Sequence, residues 1–84
     1  MWIRNQGRTI LMDCDSFAVE DHSGKYEVII LNCRTSISIS LGMYSTKEKA
    51  LKVLDEIQKR TEYLYPKVFQ MPQDWEVEVW QKKI

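Results

Sequence analysis

The period of the hydrophobic pattern changes within a few residues, and this change limits the fold more than any other feature of the chain. Thr35-Ser36-Ile37-Ser38-Ile39-Ser40-Leu41 alternates without a fault, which places Ile37, Ile39 and Leu41 on one face of a strand and three serines on the other. Soon afterwards Ala50, Val53, Leu54, Ile57, Thr61 and Leu64 recur at three- and four-residue steps, the stripe of a one-sided helix. A half-buried strand followed by such a helix means that the helix packs on the sheet. The expected fold class is α+β: an antiparallel meander sheet of four to five short strands, with one helix over about 46–64 packed on one face.

Local signals set the limits of these elements. Ser45-Thr46-Lys47-Glu48 fits a capping box in which the Ser45 oxygen takes a free amide and Glu48 reaches back. Pro66 removes an amide and disfavours the helical region for Tyr65, so the helix ends by about residue 64. Glu48–Lys52, Asp55–Lys59 and Glu56–Arg60 are acid-then-base pairs four apart, each contributing ~0.2–0.5 kcal/mol. Upstream, Asn5-Gln6-Gly7-Arg8 reads as a turn with Gly7 free to take a positive φ, and Asp21-His22-Ser23-Gly24 as a second turn. Between them lie brief extended runs at Thr9–Met12 and Phe17–Glu20, and Tyr26–Leu31 follows as a strand rich in β-branched residues.

The chain of 84 residues is read as one small domain, 1–84, with a thin core. Residues 66–84 either add an edge strand or form an exposed C-terminal arm. Trp75-Glu76-Val77-Glu78-Val79-Trp80 alternates, with Trp75, Val77 and Val79 on one side and Glu76, Glu78 and Trp80 on the other. Trp75 and Trp80 cannot then both be buried on one sheet face, which makes at least one a candidate contact residue. Trp2 is assigned to the core or to a sheet edge. Lysine plus arginine number 12 and aspartate plus glutamate number 12, so the totals announce no strongly electrostatic partner. No stretch approaches the ~20 apolar residues of a membrane span, and two cysteines are too few for a disulfide framework. A cytoplasmic protein with no membrane association is expected, with Cys14 and Cys33 as small apolar fillers.

Catalytic sets are scarce. His22 is the one histidine and lies in a turn, where solvent is its natural neighbour. Asp13, Asp15 and Asp21 are read as turn-forming aspartates before metal ligands, and Cys14, His22 and Cys33 lack the close paired spacing of a zinc site. With three glycines there is no glycine-rich phosphate loop. Neither an enzyme nor a cofactor is expected. The expected function is a small non-enzymatic protein-interaction module whose partner is a protein, its own copy included. Contacts would come from Ser36, Ser38 and Ser40 or from Trp75 and Trp80.

The segments Trp2-Ile3-Arg4-Asn5-Gln6, Leu41-Gly42-Met43-Tyr44-Ser45-Thr46-Lys47-Glu48-Lys49-Ala50, Val53-Leu54-Asp55-Glu56-Ile57 and Val68-Phe69-Gln70-Met71-Pro72 together resemble small proteins encoded in bacterial genomes and their prophages. That group has no established activity, and the resemblance implies only a phage or mobile-element setting. The passage from about 25 to 60 is also similar to the three-strand-plus-helix DNA-binding unit of AP2-type transcription factors and phage integrase arm-binding domains. This second resemblance implies a DNA-binding accessory domain that reads the duplex with its meander, with Arg4, Arg8, Lys25 and Arg34 as its basic residues. Residues 1–42 depart from the pattern, carrying four basic and five acidic side chains, and phosphate contacts need the former.

Overall fold

The computed structural model describes residues 1–32, 37–62 and 67–81. In chain order they form β1 (Trp2–Arg4), β2 (Leu11–Asp13), β3 (Phe17–His22), β4 (Lys25–Asn32), β5 (Ile37–Tyr44), α1 (Lys47–Thr61), β6 (Phe69–Gln70) and α2 (Asp74–Gln81). The class is α+β, as the change of period requires. Its strands divide into two sheets of three, ordered β2-β1-β6 and β3-β4-β5.

The second sheet is the expected antiparallel meander. Its first hairpin closes with the two-residue loop Ser23-Gly24, where both residues have positive φ (53° and 84°). This is a type I′ turn, whose twist matches that of the strands it joins. The Asp21 carboxylate accepts the Gly24 amide at 3.3 Å, fixing the loop from within. In the pairing of β4 with β5, Ser40 faces Ile29 and Gly42 faces Val28, so Leu41 is an extra residue. The bulge shifts the alternation by one position. Leu41 and Tyr44 are therefore both buried, while Ser38 and Ser40 stay exposed as the alternation demands. Ser36 lies outside the described residues, with Cys33 and Arg34.

The first sheet joins the two ends of the chain. β1 pairs antiparallel with β2 and parallel with β6, with Ile3 opposite both Met12 and Phe69. A single antiparallel sheet thus does not form, because the chain enters β6 only after crossing the molecule through α1. In the turn before β2 the positive φ falls on Arg8 (62°), not Gly7. Asn5 carries this turn: its Oδ1 accepts the amides of Thr9 and Ile10 at 2.8 and 2.9 Å, an arrangement its short amide side chain reaches locally.

α1 packs across β3, β4 and β5 through the predicted stripe, with Ala50, Val53 and Ile57 at 1 % exposure or less. Leu54 is half-buried and Thr61 exposed, and Leu64 lies outside the described residues. The N-cap is Thr46, one residue later than the capping-box reading, and its side chain accepts the Lys49 amide at 3.2 Å. Ser45 is diverted because its amide and hydroxyl both bind Asp74. On the outer side Glu56 also meets Lys59, three apart at 3.3 Å.

The tail differs most from expectation. Trp75–Trp80 is neither an edge strand nor an extended arm but lies within α2, and Phe69–Gln70 adds the strand β6. Helical spacing sorts its residues differently from alternation. Val77 is fully buried and Trp80 packs beside it on the core, whereas Trp75 and Val79, four apart, face outward. One apolar cluster unites both sheets and both helices, from Ile3 and Phe69 through Val28, Ile30 and Tyr44 to Val53, Ile57 and Val77.

Candidate functional site

Two polar clusters are built into the fold. The first lies where the turn after β1 meets β5 and the segment after β6. The Gln6 side chain spans the backbone of Met43 like a neighbouring peptide group, accepting its amide at 3.0 Å and donating to its carbonyl at 3.1 Å. The same Nε2 reaches the Pro72 carbonyl at 3.2 Å, and the buried Tyr44 hydroxyl donates to that carbonyl at 2.8 Å. Gln73 Nε2 donates to the Gln6 carbonyl at 2.8 Å and Gln70 Nε2 to that of Asn5 at 3.0 Å. Gly42 makes this possible by its size, because a Cβ there would lie 3.1 Å from the Tyr44 hydroxyl and 3.2 Å from Gln6 Cβ. Burial pushes the Tyr44 hydroxyl well above its usual pKa, with Asp74 and Glu76 adding to the rise. A buried neutral phenol of this kind is a hydrogen-bond donor and no base.

The second cluster binds α2 to the start of α1. Lys49 is buried at 8 % exposure, and its Nζ reaches Asp74 Oδ2 at 3.0 Å, Ser45 Oγ at 3.2 Å and Glu78 Oε2 at 3.5 Å. The hydrogen bond to Asp74 holds the Lys49 pKa above its usual value. The Ser45 amide, followed by the Lys49 and Ser45 side chains, holds Asp74 below the usual carboxylate range. A serine beside a lysine and a carboxylate resembles a nucleophile with its base, yet both shifts run the wrong way. A general base at neutral pH needs a lysine lowered or a carboxylate raised. Here each group is fixed in its charged form, and the cluster acts as a lock.

The remaining polar candidates are dispersed. Asp13 accepts the Met1 amino group at 2.9 Å, Asp21 serves the hairpin loop, and Asp15 borders an open groove of about 260 Å³ lined by Phe17, Leu54, Ile57, Gln58 and Thr61. His22 is exposed opposite Lys25 at the hairpin end. Cys14 is buried, and desolvation raises its thiol pKa, so little reactive thiolate forms. Among the described residues no group of three or more His, Cys, Asp or Glu side chains is placed to hold a metal. Nor is any helix there long and apolar enough to cross a membrane.

The expected contact residues separate. Trp75 is 66 % exposed on the outer side of α2 with Val79 beside it, whereas Trp80 is half-buried against the core. Ser38 and Ser40 are exposed on the face of β3-β4-β5 opposite α1. That face also carries Glu20 directly across from Glu27, with Leu31 open to solvent. Of the basic residues, Arg4, Arg8 and Lys25 are exposed; Arg4 at the end of β1 donates through Nε to the Arg8 carbonyl in the turn that follows. Sequence reasoning missed Gln6, Gln70, Gln73 and the Lys49–Asp74 pair. Glu76 offered one usable signal: its carboxylate accepts the Gln73 amide at 3.0 Å, half of a capping box three residues apart.

Comparison with protein-family models, curated proteins and solved structures returns no match.

Proposed function

We propose that this chain is a small, non-enzymatic protein-interaction module that meets its partner with the outward side of α2. The observation carrying this reading is Trp75, 66 % exposed on a helix that is fixed from beneath. Val77, Trp80 and the Asp74–Lys49 pair hold α2 against the body, so Trp75 and Val79 are presented on a rigid base. Rigidity lowers the entropy cost of association, and tryptophan is the commonest anchor of interfaces. Contacts from Ser38 and Ser40 would extend the surface. The cytoplasm remains the proposed location, and the phage or mobile-element setting rests on the resemblance of the quoted sequence segments.

The reading as a DNA-binding accessory domain is weaker. A meander that enters the major groove does so with the face opposite its helix, where Glu20 and Glu27 stand side by side. These carboxylates would repel phosphate, although Arg4 and Arg8 supply a small basic corner elsewhere.

A photo-crosslinking amino acid at position 75, compared with one at the exposed position 48 on α1, tests the proposal in extracts of the native host. A defined adduct from position 75 alone is expected, and equal labelling or none at all refutes the assignment. Anisotropy of labelled duplex DNA at about 50 and 200 mM salt tests the rival: a loss of tenfold or more between them would signal phosphate contacts.

A further inference from the structure

The outer face of the sheet β2-β1-β6 leaves large apolar side chains open and carries an arrangement of its own. Strand alternation turns Ile3, Met12 and Phe69 toward the core, and consequently turns Trp2, Arg4, Leu11, Asp13 and Val68 outward. Trp2, Leu11 and Val68 are each more than half exposed (51, 53 and 53 %). Trp2 lies directly opposite Asp13 and Arg4 directly opposite Leu11. These four residues form the corners of a rectangle about 5 Å across the strands and about 7 Å along them. One diagonal is apolar, Trp2 to Leu11. The other is charged, Arg4 to Asp13.

We infer that this face docks on the same face of a second copy, through a two-fold axis lying along the apolar diagonal. Rotation about that axis stacks Trp2 on the partner's Trp2 and Leu11 on the partner's Leu11. It also carries each Arg4 to within side-chain reach of the partner's Asp13. No other placement of a two-fold axis through this rectangle satisfies both diagonals together. An axis along the charged diagonal would set arginine against arginine. The strands of the two copies would cross at about 70°, close to the orthogonal class of sheet packing. The Asp13 side chain is 63 % exposed although its Oδ1 accepts the Met1 amino group, so its carboxylate is within reach of a second copy. Trp2 presents on the order of 100 Å² of open surface, so the patch is at the low end of interface sizes and the dimer is weak and reversible.

This inference deepens the interaction reading by naming a second copy as one partner, and it rests on that reading only in treating open aromatic surface as contact surface. Sedimentation equilibrium on the full chain from about 10 µM to 1 mM reads the association directly. A concentration-dependent dimer is expected, weakened at least about tenfold by Trp2→Ala. Arg4→Asp and Asp13→Arg should each weaken it as well, because each sets like charges against one another across the axis. An equimolar mixture of these two variants should then associate more tightly than either alone, since only the mixed pair restores both contacts. Circular dichroism of each variant separates loss of association from loss of fold. A chain that stays monomeric to 1 mM overturns the inference, and so does a dimer indifferent to Trp2→Ala or a mixture no tighter than its components. If the dimer is absent while position 75 still crosslinks a different protein, the self-association fails and the interaction reading stands; if both are absent, both fail.

Discussion

The sheet β3-β4-β5 is closed by sequence neighbours, whereas the sheet β2-β1-β6 depends on residues as far apart as Gln6 and Pro72, separated by sixty-six positions. In the former, a two-residue I′ loop and the in-register β3–β4 ladder give these contacts a short loop to close. In the latter, β1 and β6 share two residue pairs, too few to hold a strand by their ladder alone. Glutamine side chains supply the remainder. Gln6 takes the place of a missing strand beside Met43, while Gln70 and Gln73 return the chain's last third to the turn after β1. Local pairing builds one sheet, and long-range amide hydrogen bonds together with the shared core build the other.

Ile3→Ala should have the largest effect. Ile3 is fully buried at the centre of the sheet that joins the chain ends, and its loss should cost about 3 kcal/mol, within the 2–5 range for large-to-small core changes. Because Ile3 shares one apolar cluster with Val53 and Ile57, the whole domain should lose stability together. Urea unfolding followed by tryptophan fluorescence and by far-UV circular dichroism should give coincident transitions at a lower midpoint. If the two probes separate, the sheets are independent units and the shared core is not what joins them.

Gln6→Ala sharpens the contrast. It removes three side-chain hydrogen bonds and leaves the part-buried Met43 amide without its acceptor, at a cost of about 2 kcal/mol. Amide hydrogen exchange should show protection lost first in β1, β2 and β6, with β3 and β4 retaining theirs. Uniform loss across both sheets would mean that Gln6 contributes to global stability and not to the seam.

The same contrast explains which parts could be read from the sequence. Ala50, Val53 and Ile57 repeat at a spacing that only a helix places on one face, and Ser23-Gly24 sits where a I′ turn needs positive φ. Both signals are local and strong. Trp75–Trp80 misled because six alternating residues also fit a helix wheel, with Val77 and Trp80 inward and Trp75 and Val79 outward. The choice between them lay in Asp74, whose partners Ser45 and Lys49 are distant in sequence. Gln6, Gln70 and Gln73 were illegible for the same reason, since a glutamine has no periodic signature and its role exists only once the ends meet. Of the candidate site, Trp75 was legible as a surplus aromatic, but its pairing with Val79 required the helix.

Tyr44 stands at the seam itself and offers the smallest and most specific test. Its buried hydroxyl donates to Pro72, a carbonyl that Gln6 also serves, so Tyr44→Phe should cost only about 1 kcal/mol at neutral pH. The pH dependence of that difference is more telling. The folded-state pKa of Tyr44 is raised, so its contribution is fully present below the unfolded tyrosine value of about 10 and is lost as pH rises above it. Above that pH the unfolded phenol gives up a proton that the folded one keeps, and the wild-type chain loses about 1.4 kcal/mol per pH unit relative to the variant. The two stabilities should therefore converge near pH 11. Cys14 and Lys49 are shifted in the same direction, but both proteins carry them and they cancel in the difference. Urea midpoints of the two chains from pH 7 to 11 check this; a gap that stays constant would mean that alkali ionises Tyr44 within the folded protein, opening the seam at Pro72 without unfolding the remainder.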